Sequence, residues 1–117
     1  MPVVKIAFAT NRGGLDDTLA DRFGRAPTFT IVEVDTDTGE VKKVEVVENP
    51  GYRAGSGAGV KAAQTLGDHG VKVYVGPNPG PNAMAALQYL GIKVIAITGT
   101  TVREALAKAL EELRQQQ

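Results

Sequence analysis

The sequence predicts an α/β domain of three layers, in which helices cover both faces of a mixed five-stranded sheet. Three observations lead to this prediction. The first predicted strand is apolar on both faces, and two further runs in the first half of the chain are rich in β-branched residues. After Asn49 and Pro50, helical apolar stripes alternate with short apolar strands. A strand that is apolar on both faces belongs in the middle of a covered sheet. The predicted order is β-β-β-α-β-α-β-α.

Three strands are predicted in the first half. Residues 3–9 place apolar side chains on both faces, and residues 28–34 and 41–47 are rich in valine, isoleucine and threonine. Such runs are typical of strands. The segment 35–39 between the second and third runs has the composition of a hairpin turn, in which Gly39 is free to adopt a positive φ.

The second half predicts three helices separated by two strands. The helical stripes are formed by Val60, Ala63 and Leu66, then by Ala83, Ala86, Leu87 and Leu90, and last by Val102, Leu106, Ala109, Leu110 and Leu113. A glycine follows each of the first two stripes, as is common after a helix. Thr101 and Glu104 have the spacing of a capping box for the third helix. Strands are predicted at residues 71–75 and 92–97.

The order of these elements predicts their topology. The first three strands can form an antiparallel meander, whereas the later strands need crossover connections and must run parallel to the first. This is the ribonuclease H-like architecture. No linker or internal repeat divides the chain, so we expect one domain over residues 1–117, with a frayed tail at 113–117.

Composition narrows the classes of function. The chain has 117 residues, with 13 Lys plus Arg and 13 Asp plus Glu, so its formal charge is zero and nucleic acid or an anionic membrane attracts it little at long range. There is no cysteine, which excludes disulfides and thiolate metal sites. The N-terminal run lacks the features of a signal peptide, and no apolar run approaches the ~20 residues that span a bilayer. We expect a cytoplasmic protein without membrane or nucleic-acid partners; the composition does not predict its oligomeric state.

Three polar, glycine-rich segments lie where strands end or helices begin. They are residues 11–14 together with 22–27, residues 54–59, and residues 76–82. In open α/β sheets, ligands bind beyond the carboxyl ends of parallel strands. Helix N-termini there attract anions, and Arg22 and Arg25 can add charge-assisted contacts. The whole connection from 11 to 27 is long, and long loops are often functional.

These loops also have structural interpretations. The glycines match neither a dinucleotide-binding fingerprint, since position 60 is Val, nor a Walker A loop. A glycine run before a helix is often a turn, and the prolines of 76–82 can simply start a helix. Phe23 suits a core position better than a ligand platform. Arg22 and Arg25 can pair with nearby carboxylates, namely Asp16, Asp17 and Asp21.

Side chains suited to catalysis are few. With one histidine and no cysteine, neither a Ser-His-Asp nor a Cys-His set can be assembled. A two-metal nuclease of this architecture needs a carboxylate on the first strand, and there is none. His69 lies near a predicted helix end, where a surface histidine is expected, and a lone histidine is a poor metal site. We therefore predict no enzyme activity, no catalytic residues and no metal ligands.

Four segments together resemble the dinitrogenase iron–molybdenum cofactor biosynthesis family, which includes NifX-type carriers and the C-terminal domain of NifB-type proteins. They are Phe-Gly-Arg-Ala-Pro at 23–27, Glu-Asn-Pro at 48–50, Ala-Gly-Ser-Gly-Ala-Gly at 54–59 and Gly-Pro-Asn-Ala at 80–83. The likeness runs from Lys5 to about Leu113. It implies a ribonuclease H-like fold without nuclease activity. It also implies a nitrogenase accessory role as carrier or chaperone of an anionic iron–sulfur or iron–molybdenum cofactor precursor, bound transiently, with a cofactor-biosynthesis protein as partner.

The sequence departs from the family pattern at one telling position. Family members often carry a histidine just before Phe-Gly-Arg, where this chain has Arg22, and His69 lies outside the matching motifs. Arginine attracts an anionic cluster but cannot ligate iron.

The leading hypothesis is a non-catalytic protein that holds an anionic metal–sulfur cluster or a similar small anion among these loops. The alternative is a regulatory or protein-interaction module of the same fold, which binds a partner or a small anion and no cluster. An enzyme acting on a phosphorylated substrate is a third interpretation, against which the missing acid/base set argues. The candidate cofactor-binding residues are Asn11, Arg22, Gly24, Arg25, Gly55, Ser56, Gly57, Gly59, Gly80 and Asn82.

Overall fold

The computed structural model describes residues 3–115, and its first strand lies in the middle of a five-stranded sheet. The strands are β1 (Val3–Thr10), β2 (Thr28–Asp35), β3 (Val41–Glu48), β4 (Val73–Gly76) and β5 (Lys93–Ala96). Their order in the sheet is β3-β2-β1-β4-β5. β2 is antiparallel to both of its neighbours, whereas β1, β4 and β5 are parallel. The predicted mixed sheet and its topology are confirmed.

Three helices and one short 3₁₀ helix complete the fold. The helices are α1 (Ala58–Asp68), α2 (Pro81–Tyr89) and α3 (Val102–Gln115), and the 3₁₀ helix is Pro50–Arg53. The sequence pattern did not predict the 3₁₀ helix. α3 continues through Gln115, so residues 113–115 of the predicted tail are helical here, and Gln116 and Gln117 lie outside the described residues. Within residues 3–115, no helix has the length and apolar character that crossing a membrane requires.

The two faces of β1 divide the core into two clusters. Ile6 and Phe8 pack with α3 on one face, and Ala7 and Ala9 pack with α1 and α2 on the other. All four residues are fully buried, because helices cover β1 on both sides. The three-layer arrangement predicted from the apolar faces of residues 3–9 is therefore present.

Phe23 lies in the core, as predicted. Its side chain is 2% exposed, and its ring centroid is 4.7 Å from that of Tyr74 and 5.5 Å from that of Phe29. The Phe23–Tyr74 pair has the edge-to-face geometry that aromatic rings prefer. This anchor fixes the second half of the long connection between β1 and β2 against the face that α1 and α2 cover.

Two local predictions from turn and cap chemistry are also confirmed. Gly39 has φ +79°, and its N–H donates to the Asp35 carbonyl at 2.7 Å, which closes the β2–β3 turn. At the start of α3, the Glu104 N–H donates to Thr101 Oγ1 at 3.2 Å, and the Thr101 hydroxyl donates to Glu104 Oε1 at 3.1 Å. The capping box therefore holds the first turn of the helix.

Candidate functional site

The carboxyl ends of β1, β4 and β5 share one edge of the sheet, and the N-termini of all three helices lie there. α2 begins just after β4 and α3 just after β5, while α1 runs back along the sheet to the start of β4. The first turns of α1 and α2 touch: a Cβ added to Gly59 would lie 2.8 Å from the Ala83 Cβ. Since helix N-termini carry a partial positive charge, this edge is suited to an anion.

The chain itself closes the N-terminus of α3. The Val102 N–H donates to the Asp17 carbonyl and the Arg103 N–H to the Leu15 carbonyl, both at 2.9 Å. The capping box takes the N–H of Glu104. The first half of the long β1–β2 connection thus covers this helix end, and residues 102–104 keep no free backbone donor for a ligand.

The N-termini of α1 and α2 are open by comparison. Their N-cap residues, Gly57 and Gly80, have no side chain that could cap the helix. In α2 the Gly80 N–H donates to Asn78 Oδ1 at 2.9 Å and Pro81 has no N–H, so Asn82 is the first residue whose N–H no side chain accepts. Gly57 has φ +69° and Gly80 has φ +84°, conformations that favour glycine, and a Cβ at either position would meet open space. Two adjacent helix starts therefore present first-turn N–H groups without side-chain partners.

A buried asparagine ties the loops of this edge together. Asn49 is 3% exposed, and its Nδ2 donates to the Ala26 carbonyl at 2.8 Å and the Gly24 carbonyl at 3.0 Å. Its Oδ1 accepts from the Gly51 N–H at 2.9 Å. Asn49 thus joins residues 24–26 to the 3₁₀ helix, and its side-chain polar atoms are satisfied, as buried polar groups must be.

Two of the glycines predicted to bind the ligand, Gly24 and Gly59, lie where neighbouring segments of the chain come close together. A Cβ on Gly24 would come within 2.8 Å of the Gly59 N, and a Cβ on Gly51 would lie 2.6 Å from the Gly24 carbonyl oxygen. Because Gly59 in turn faces Ala83, Gly24 and Gly59 let three chain segments pack at this edge. A Cβ added to Gly55, in contrast, would have nothing within 4 Å, so the role of Gly55 differs from theirs.

The arginines border a shallow depression of about 200 Å³. Its lining includes Asn11, Arg22, Arg25 and Tyr52. Arg25 Nη1 donates to the Ala54 carbonyl at 2.8 Å, so this guanidinium bridges the first and second loops. Arg22 is exposed and forms no ion pair within residues 3–115.

The alternative pairing of these arginines with nearby carboxylates is not found among residues 3–115. Asp16 instead pairs with Arg103, at 3.1 Å between Oδ1 and Nε. Asp21 is exposed and lines the same depression as the arginines, but it forms no ion pair with them. The positive charge of Arg22 is thus uncompensated by an ion-pair partner in the described part of the chain.

A buried tyrosine, Tyr74, anchors the third loop, residues 76–82. The Tyr74 hydroxyl donates to the Pro77 carbonyl at 2.8 Å, and burial raises the pKa of Tyr74, which keeps the group a neutral donor. A side chain at Gly76 is excluded, because its Cβ would lie 2.5 Å from that hydroxyl oxygen. Asn82, in the first turn of α2, is exposed, as is Ser56 before α1.

Asp17 organises the first loop and occupies its backbone donors. Oδ2 accepts from the N–H groups of Asn11, Arg12 and Gly13 at 2.8–2.9 Å, and Oδ1 accepts from Thr18 at 2.9 Å. Partial burial raises the pKa of Asp17, but the backbone hydrogen bonds outweigh it and the pKa lies below its ordinary value of 3.8. The Asn11 N–H is therefore committed to Asp17, and its side-chain Nδ2 donates to the Thr18 carbonyl at 3.5 Å.

This arrangement predicts a dependence of stability on pH. Because the folded-state pKa of Asp17 is depressed, its contribution is present above the unfolded pKa of about 3.8 and is lost as pH falls through the lower folded value. We expect Asp17→Asn to reduce the free energy of unfolding at neutral pH by about 1 kcal/mol, since water screens this partly exposed carboxylate. Urea unfolding should show the gap to the wild type narrowing near pH 3. A constant gap across that range would contradict this role of the carboxylate.

The donor set of the described residues is poor in metal ligands. Residues 3–115 hold no group of three or more His, Asp or Glu side chains placed to share a metal ion, and the sequence has no cysteine. His69 lies at the C-terminal end of α1, away from the loops, where its Nδ1 is 2.9 Å from the Thr65 carbonyl. The site offers N–H groups, amides and guanidinium groups, which bind anions by hydrogen bonds and charge.

Three residues that shape this edge, Asn49, Asp17 and Tyr52, are not among the predicted ligand-binding residues. Asn49 carried a local signal, because an asparagine before a proline often caps a turn. Its partners 23 and 25 positions earlier carried no such signal. Tyr52 is 48% exposed beside the arginines, and nothing in its neighbourhood in sequence marked it.

Comparisons with known proteins agree on one family. Residues 2–112 match the family described as dinitrogenase iron-molybdenum cofactor. An uncharacterised protein of Methanocaldococcus jannaschii is 32% identical over 96 residues, which are 82% of this chain and 80% of that protein.

Two solved structures share both fold and sequence similarity. The apo form of the orange protein from Desulfovibrio gigas is 38% identical, with a TM-score of 0.81 over 92% of this chain and 88% of that one. A putative NifB protein from Thermotoga, assigned to the DUF35 family, is 37% identical, with a TM-score of 0.71 over 95% of this chain and 90% of that one.

Proposed function

We propose that this chain, which belongs to the dinitrogenase iron-molybdenum cofactor family, is a non-catalytic protein that binds an anionic metal–sulfur cofactor precursor and later releases it. The family match and the likeness to a putative NifB protein support a cofactor-binding or carrier role. The open helix starts support an anion as the cargo. The two arginines support it as well: they line a depression that no helix-start residue borders, and their loop reaches the start of α1 through Gly24.

One observation carries the proposal. Of the three helix N-termini at the carboxyl edge, the chain covers that of α3 and leaves those of α1 and α2 without side-chain caps. Arg22 and Arg25 lie on the loop that packs against the start of α1 through Gly24. Two helix starts without side-chain caps, near an arginine, Arg22, that has no ion-pair partner within residues 3–115, favour a negatively charged ligand.

The residues fit a cluster that keeps its own ligands. No cysteine is available, and the one histidine lies at the far end of α1, so the loops offer iron no nitrogen or sulfur donor. They do offer hydrogen-bond donors to the sulfur and oxygen atoms on the outside of an anionic cluster. The cargo would therefore be held by charge and hydrogen bonds, and such binding is reversible.

The candidate residues would have different roles in binding. Arg22, Ser56 and Asn82 have exposed side chains that can reach a ligand, together with the side chain of Asn11. Gly55, Gly57 and Gly80 leave open space where a ligand can approach the backbone. Arg25 would bridge the ligand and the second loop, while Gly24 and Gly59 would hold the loops at the right separation.

A carrier of this kind needs proteins that load and unload it. We infer that a cofactor-biosynthesis protein is its partner and that the exchange takes place in the cytoplasm, where such clusters are assembled. With one histidine and no cysteine, the sequence cannot supply a Ser-His-Asp or a Cys-His set, which supports a binding role over catalysis.

The test is anaerobic binding of a synthetic [4Fe–4S] cluster that carries water-soluble thiolate ligands. Gel filtration and iron analysis should show iron eluting with the wild-type protein at low ionic strength and less of it at high salt, because charge dominates the contact. We expect Arg22→Gln to weaken retention roughly three- to tenfold, the effect of losing one exposed charge-assisted hydrogen bond.

Arg114→Gln is the matched control for that experiment. Arg114 is an exposed arginine in the last turn of α3, at the opposite edge of the sheet, so its loss changes the net charge equally. Equal weakening by both variants would mean that the cluster responds to overall charge and would refute the site. Failure of the wild type to retain iron at low salt would refute the carrier proposal.

The second candidate function is the regulatory or protein-interaction module. The observation that favours it is that the loops carry no cysteine or histidine to ligate iron. A chain whose loops offer iron no nitrogen or sulfur donor can use the same open helix starts for an acidic segment of a partner protein or for a small anion. Thermal unfolding with phosphate or sulfate separates the two candidates. A rise in melting temperature with these anions, without retention of the cluster, would support the module.

A further inference from the structure

The free side of β3 is the long unpaired edge of the sheet. β3 pairs with β2 on one side, and no other described element lies along its second side. Its eight residues, Val41–Glu48, therefore present backbone N–H and C=O groups that another strand could pair with. The other edge strand, β5, is half as long.

One face of β3 is apolar and exposed. Val41, Val44 and Val46 are 36%, 38% and 47% exposed. Their partners in β2 lie on the face of the sheet that α3 covers, so the three valines lie on that face too. The irregularity of the β2–β3 pairing falls between Val41 and Lys43, so residues 43–48 remain regular. This regular half carries both an apolar surface and a free edge.

The charges of β3 are arranged for pairing with itself. Lys43 lies before Val44 and Glu45 lies after it, and neither forms an ion pair within residues 3–115. In an antiparallel pair of identical strands centred on Val44, each Lys43 lies opposite Glu45 of the second strand. A centre on Glu45 would instead place two carboxylates opposite each other, which is unfavourable.

We propose that two copies of this chain associate through antiparallel pairing of β3 centred on Val44, which forms a continuous ten-stranded sheet across a two-fold axis. The pair of Val44 side chains would then meet at the axis, and each Val46 would lie opposite Lys42 of the second copy. Lysines at an edge normally discourage strand addition. Here they select a partner with glutamates at the opposite positions, and a second copy has them.

The expected association is weak. One added strand pair buries less surface than the roughly 1,600 Å² of a standard stable interface, so the dimer should form in the micromolar range or above. Each monomer tolerates the exposure of three separate valines, which is consistent with an edge that is free for part of the time.

Single-cysteine crosslinking tests the pairing, since the chain has no cysteine of its own. Under mild oxidation Val44→Cys should form a disulfide-linked dimer, because the two copies of position 44 face each other at a distance that a disulfide can span. Val46→Cys is the matched control on the same face of the same strand; its two copies would be displaced by four residues and should not crosslink. Crosslinking of Val46→Cys in place of Val44→Cys would overturn the proposed register.

Sedimentation velocity with charge exchange tests the partner. Lys43→Glu and Glu45→Lys should each weaken self-association roughly tenfold, because two attractive pairs become repulsive. The double exchange should restore it, which a loss of folding could not mimic; circular dichroism checks the fold of each variant. A wild type that stays monomeric at roughly 1 mM, with no Val44→Cys dimer, would overturn the proposal.

Discussion

Replacing Asn49 with alanine is expected to lower the free energy of unfolding by about 3 kcal/mol, because several buried backbone groups lose their partner at once. The Asn49 side chain bonds the Gly24 and Ala26 carbonyls and the Gly51 N–H in a nearly water-free position. Alanine leaves these groups without that partner and opens a gap. For a domain with the usual stability of roughly 5–15 kcal/mol, this is a large fraction. Urea denaturation measures it directly.

Asn78→Ala provides the comparison for Asn49→Ala. Asn78 is exposed, and its Oδ1 accepts one hydrogen bond, from the Gly80 N–H at 2.9 Å. Water can replace that bond, so we expect a loss below about 1 kcal/mol. Similar losses in the two variants would show that the buried hydrogen bonds of Asn49 contribute no more to the free energy of unfolding than the single exposed hydrogen bond of Asn78.

The second large effect is expected for Gly24→Ala, with a loss of about 2 kcal/mol in the free energy of unfolding. The new Cβ would lie 2.8 Å from the N and 2.9 Å from the Cα of Gly59, and 3.1 Å from the carbonyl carbon of Ala58. All three are backbone atoms at the start of α1, so the helix must shift to make room. Such a shift would also separate the arginine loop from the open helix start.

Gly55→Ala is the control, because the same change there meets nothing within 4 Å. We expect its effect on the free energy of unfolding to stay within about 0.5 kcal/mol, and a small gain is compatible with reduced freedom of the unfolded chain. Thermal unfolding of the two variants side by side makes the comparison. An unchanged melting temperature for Gly24→Ala would mean that the backbone approach is not tight and that this glycine serves something other than packing.

The sheet and helices were predictable because their signals are local and periodic. β1 is apolar on both faces and therefore central, and the stripe of α3 with its Thr101–Glu104 box marks that helix from its start. The 3₁₀ helix at 50–53 was not predictable. It is four residues long, and its packing depends on Gly51 lying against Ala58 and Gly24, contacts that no local pattern encodes.

The location of the candidate site could be predicted from the sequence, but the role of each residue in it could not. Polar loops at carboxyl strand ends indicated the edge, and the structure brings the Arg25, Ala54 and Gly59 segments together there. Whether a glycine lies against backbone or has open space beside it depends on tertiary contacts, as Gly24 and Gly55 show. The closure of α3 by Leu15 and Asp17 depends on residues some 85 positions away, beyond the reach of sequence patterns.

The covered N-terminus of α3 limits the side from which a ligand could reach the candidate site. Because the chain's own loop covers the α3 side of the edge, the starts of α1 and α2 are the helix ends left for a ligand. For the carrier proposed above, we expect loading and unloading on this one side of the edge. A delivering and a receiving protein would then compete for the same surface, and the first would have to leave before the second binds.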